Sequence, residues 1–117
     1  VVNGDFATDS DWIKDSSYSI AGGSLNKGTS TANEFASQQS VLAAGNAYAT
    51  AYDISNYIGS DTCGFSSSSF AGGMYATSDG SYTFTGEAVT DNLRILGRPS
   101  NEFSIDNVSA KRLLETA

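Results

Sequence analysis

The side chains able to do chemistry are mostly carboxylates: thirteen Asp and Glu stand against six Lys and Arg, with no histidine and a single cysteine. The lack of histidine removes the general base of Ser–His and Cys–His triads and the imidazole ligands of His-rich zinc sites. What remains for hydrolysis is a carboxylate pair of the glycosidase kind, for which Glu34, Asp53, Glu87, Asp91 and Glu102 are the candidates. No motif ties any two of them together. They read as surface charges, and the domain is expected to be non-catalytic. Cys63 has no partner for an internal disulfide and reads as a small buried hydrophobe rather than a reactive thiol. Asp5, Asp9, Asp11 and Asp15 crowd one loop, but Asp9-Ser10-Asp11 lacks the spacing and terminal Glu of an EF-hand loop.

The formal charge of −7 repels phosphate backbones and anionic membranes, so nucleic acid is not an expected partner. No apolar run approaches the roughly 20 residues that span a bilayer, so no membrane insertion is expected. The 117 residues suit one domain with a real core. Gly, Ser, Thr, Ala and Asn are abundant and there is one proline, which favours an all-β chain with many turns.

The elements that must position these groups are short strands, because apolar and polar residues alternate with period two. Residues 47–54 are the best case: Tyr48, Thr50, Tyr52 and Ile54 share one face and Ala47, Ala49, Ala51 and Asp53 the other. The first set is expected to face the core. The same pattern predicts strands over 1–6, 18–21, 24–29, 34–42, 63–66, 74–77, 81–85, 92–97 and 103–111, punctuated by Gly22-Gly23, Gly45-Asn46, Gly59-Ser60-Asp61, Gly72-Gly73 and Asp79-Gly80. Such spacing predicts two packed antiparallel sheets. Residues 112–117 read as a tail, either a short helix or the start of a connection onward.

Taken in order, Asn3-Gly4-Asp5-Phe6, Asp11-Trp12, Tyr18-Ser19-Ile20 with Gly22-Gly23, Leu42-Ala43-Ala44-Gly45 with Tyr48, Gly80-Ser81-Tyr82-Thr83-Phe84, Leu93-Arg94-Ile95 and Ser104-Ile105-Asp106-Asn107-Val108-Ser109 form a series. It resembles carbohydrate-binding modules of the family 4 and family 9 kind over residues 1–111. The resemblance implies a jelly-roll β-sandwich that recognises a polysaccharide or cell-surface glycan as part of a larger protein. Such modules occur on polysaccharide-degrading enzymes and, in similar form, on bacteriophage tail and virion proteins. The Ser/Gly/Ala-rich style is closer to the phage group, which implies a virion or extracellular location. The alternative is a structural virion domain that decorates an appendage or forms homo-oligomers without binding glycan.

The resemblance also implies a structural calcium ion where the chain ends meet, with Gly4, Asp5 and Asp106 at the matching positions; Ala7 stands where the family often has another acidic residue. Trp12 and Tyr18 could stack on sugar rings but occupy positions that look like core positions of the family. If the strands carrying Asp53 and Arg94 are sheet neighbours, as the resemblance implies, the floor of Ala49, Ala51 and Asp53 would lie beside Gln38, Asn92 and Arg94. These planar amides and the guanidinium match vicinal hydroxyls. The same face would serve equally as a contact between copies or as plain solvent-exposed surface.

Overall fold

The alternation becomes ten strands among the residues that the computed structural model describes, 4–7 and 11–113. They are β1 (Ile13–Lys14), β2 (Tyr18–Ala21), β3 (Ser24–Lys27), β4 (Glu34–Gln38), β5 (Ala47–Ile58), β6 (Cys63–Phe65), β7 (Met74–Ala76), β8 (Gly80–Glu87), β9 (Leu93–Gly97) and β10 (Glu102–Arg112). Sheet I runs β1-β4-β9-β6-β7 and sheet II runs β2-β3-β10-β5-β8. All neighbours are antiparallel. In the eight strands from β3 onward, the first pairs with the last in sheet II, and the second pairs with the second last in sheet I. That nesting is a jelly roll, and the fold is a two-sheet antiparallel β-sandwich. Among the described residues no helix is long and apolar enough to cross a membrane.

Several boundaries differ from the sequence expectation. Of the strand expected over 1–6, residues 1–3 lie outside the described residues; Gly4 and Asp5 form a turn and Phe6 takes φ 51°, so no strand starts there. Asp9 and residues 114–117 also lie outside them. The strand expected to reach residue 42 stops at Gln38, just before Ser40 turns left-handed at φ 60°. Strand β5 runs on to Ile58, and β10 takes in Arg112, after which the Leu113 N–H still donates to the Ala47 carbonyl at 2.9 Å.

The core forms between the sheets around Tyr52, which is fully buried. Its ring lies 5.0 Å from that of Phe65, 5.7 Å from Tyr82 and 5.9 Å from Phe84, and its hydroxyl donates to the Met74 carbonyl at 2.8 Å. Gly64 makes room for that hydroxyl: at φ 129°, a Cβ there would collide with Met74 O and Tyr52 Oη. Trp12 is buried with its ring 5.3 Å from that of Phe6, and Tyr18 donates its hydroxyl to Ile95 O at 3.2 Å. Both aromatics are core residues. Cys63 is buried as well, and burial pushes its thiol up to about 12, which leaves little nucleophilic thiolate at neutral pH.

Alternation in β3 turns Leu25 and Lys27 inward, so the core also receives an ammonium. The Lys27 stem crosses Gly97, where any Cβ would collide with it. Its Nζ donates to the carbonyls of Gly28 at 2.8 Å, Arg98 at 2.7 Å and Asn101 at 2.6 Å. Burial pulls the Lys27 pKa below the ordinary lysine value, and Glu34 and Glu102 oppose that shift. Buried Asn101 braces the same loop, accepting the Arg98 N–H at 2.9 Å and donating to Thr62 O at 3.1 Å. A fixed internal cation therefore organises residues 98–101.

Candidate functional site

Strand β5 has the orientation its pattern predicts: Tyr48, Thr50, Tyr52 and Ile54 are buried, and Ala49, Ala51 and Asp53 face outward, half-exposed. The expected neighbours of that outer face are not there. The jelly roll sends β5 to sheet II and β4 and β9 to sheet I, so Gln38, Asn92 and Arg94 lie across the sandwich from Asp53. The four do not form one groove. Gln38 turns inward and is buried, bordering a separate hollow of about 200 Å³ with Asp11, Gln39 and Val41. Half-buried Asn92 precedes β9, and its carbonyl accepts the Ser69 hydroxyl at 2.8 Å. Exposed Arg94 holds its Cζ 4.9 Å from the centre of the Phe35 ring on the outer face of sheet I. Asp53 accepts a 2.8 Å hydrogen bond from Asn107 Nδ2.

The true flanks of the β5 floor come from β8 and β10. Ala49 is opposite Thr85 on one side and Lys111 on the other; Ala51 is opposite Thr83 and Ser109. Together these residues line an open groove of about 410 Å³. Two alanine methyl groups form its floor, three hydroxyls and an ammonium its sides. Thr83 and Thr85 alternate with Tyr82 and Phe84, so their outward direction was visible in the sequence. Which strands flanked β5 was not.

The chain-end residues meet through the backbone, the Val108 N–H donating to Gly4 O at 2.8 Å. Asp106 Oδ1 accepts the Asn107 N–H at 2.7 Å beside a bulge in β10, where Asn107 takes φ 51°, and exposed Asp5 accepts the Ala7 N–H at 3.3 Å. The donors are all oxygens with lone pairs to spare, which suits a hard cation in kind. They are fewer than the six to eight oxygens calcium takes, and water would complete the shell. Among the described residues no three carboxylate, thiol or imidazole groups gather to hold a metal.

No three of the carboxylates considered for hydrolysis gather at one place, although Glu34 and Glu102 both act on the charge of Lys27. Glu34 lies in sheet I and accepts the Ser17 N–H at 2.8 Å, whereas Asp53 and Glu87 sit toward opposite ends of the β5–β8 pair. Six residues of strand, about 20 Å, separate those two, beyond the roughly 10 Å of a glycosidase pair.

No protein-family model matches the chain, and no curated protein sequence matches it. A solved structure described as "CBM4 structure and function" aligns over 92% of this chain and 81% of its own, at 14% identity and a TM-score of 0.49.

Proposed function

We propose that this domain is a non-catalytic glycan-recognition module that binds saccharide along the outer face of sheet II. The observation that carries the reading is the groove of about 410 Å³ floored by Ala49 and Ala51 and flanked by Thr83, Thr85 and Ser109. A pyranose ring has an apolar CH face, which the alanine methyl groups accept, and equatorial hydroxyls, which threonine and serine pair with in both directions. Phe84 also borders the open trough but stacks inward on Tyr52, so it offers a saccharide no free ring face and single-site affinity is weak. Useful attachment would come from several copies on one particle, as on a virion appendage or an extracellular assembly.

Amide shifts during titration with a panel of oligosaccharides test this. A binding member should perturb Ala49, Ala51, Thr83 and Thr85 first. Ala51→Phe, which fills the floor from an outward position, should abolish the shifts while moving the melting temperature by no more than about 4 °C. Binding that survives Ala51→Phe would refute the assignment of the groove.

A second reading, an assembly domain, is favoured by β8. This eight-residue strand forms the edge of sheet II, and Glu87 at its end is its one charged residue. Edge pairing would then make dimers, and a monomeric mass at high concentration would remove that reading.

Calcium at Gly4, Asp5 and Asp106 is a separate element of the proposal. Millimolar calcium should raise the melting temperature relative to chelator in a concentration-dependent way, since it would bind only the folded chain ends. Coincident melting curves would eliminate the site.

A further inference from the structure

The basic residues of this acidic protein are almost all committed. Lys27 is held by three carbonyls, Arg98 Nε sits 3.3 Å from Asp61 Oδ1, Arg94 lies over Phe35, Arg112 reaches Asn46 Oδ1 at 3.5 Å, and Lys14 is engaged as well. Lys111 differs. It is exposed, forms no ion pair or hydrogen bond with any described residue, and stands in the groove opposite Ala49. Among the described residues its ammonium is therefore the one positive charge without a partner, and it stands on a hydroxyl-lined, methyl-floored trough.

The surroundings narrow what that charge can take. Glu87 follows Thr85 by two residues on β8, and Asp53 follows Ala51 by two on β5, so each lies about 7 Å beyond the groove lining on the same outward side. Negative charge at both ends disfavours a densely charged polymer such as a sulfated chain. A single carboxylate at the centre meets the ammonium and stays clear of both.

Resting on the glycan reading above, we infer that the groove selects saccharides bearing an isolated carboxylate, a uronic or sialic acid residue, through Lys111. The carboxylate pairs with Nζ while hydroxyls of the same ring meet Thr85 and Ser109.

The test is an amide-shift titration with four probes, each acid bearing one carboxylate: methyl galactosiduronic acid, its methyl ester, 3′-sialyllactose and lactose. At low salt one or both acidic members should bind about two- to fivefold more tightly than the neutral counterpart, the range for one exposed ion pair. Which acid does so separates uronate from sialate. The preference should vanish at about 0.5 M salt and in Lys111→Met, and persist in Lys111→Arg. Equal binding of acidic and neutral members, or an acid preference that survives Lys111→Met, overturns the inference and leaves the glycan reading intact. If none of the four perturbs Ala49, Ala51, Thr83 or Thr85 in the parent protein, this inference falls, and the wider oligosaccharide panel alone decides the glycan reading.

Discussion

Lys27→Met should destabilise the fold by about 3–5 kcal/mol, read as a lower urea midpoint at unchanged slope. Methionine keeps the length of the stem that crosses Gly97 but withdraws the donor shared by Gly28 O, Arg98 O and Asn101 O. An orphaned buried acceptor costs about 1–3 kcal/mol, and here the buried Asn101 O and the partly buried Arg98 O and Gly28 O, drawn from two segments, cannot all be rescued by small movements. Lys27→Arg should not restore stability, because a planar guanidinium needs more width than the passage over Gly97 gives. A loss under about 1 kcal/mol would mean that water satisfies the carbonyls and that the ammonium is dispensable.

Trp12→Ala is expected to cost a comparable amount, about 3–5 kcal/mol, through the cavity left against Phe6. The indole is 7% exposed, so its removal empties core volume rather than surface. For a domain of this size that loss is a large share of total stability, and thermal unfolding would report it directly. The outcome against this assignment is a variant that melts like the parent yet no longer binds saccharide, which would make Trp12 a platform.

Much of this architecture was legible in the alternation. The buried set of β5, the β2–β3 hairpin closed at Gly22-Gly23, and inward Leu93 and Ile95 all follow from period two, because a half-buried strand must sort its side chains by face. Alternation reports which way a side chain points, not which strand lies beside it. That is why Asp53 and Arg94 could be oriented correctly yet placed in one groove when a sandwich separates them. The flanks of the floor depend on long-range pairing, and Ser109 and Lys111 come to Ala51 and Ala49 only because β10 lies next to β5. Lys27 and Gln38 show the opposite limit. Their inward direction was written in the pattern beside Leu25 and Ala36, but their polarity argued for the surface, and only the carbonyls of a distant loop make burial of the lysine tolerable.

The position of β10 bears on how the chain reaches this state. It lies at the middle of sheet II, between β3 and β5, and leaves the ribosome after the other nine described strands. Until it arrives, the β2–β3 hairpin and the β5–β8 pair, whose strands β6 and β7 separate in sequence, share no ladder, and each exposes an unpaired edge where β10 belongs. The sheet closes in one late step that joins residues far apart in sequence, so folding should be slow for the domain's size. A nascent chain arrested before Glu102 would offer two open templates to any neighbouring strand.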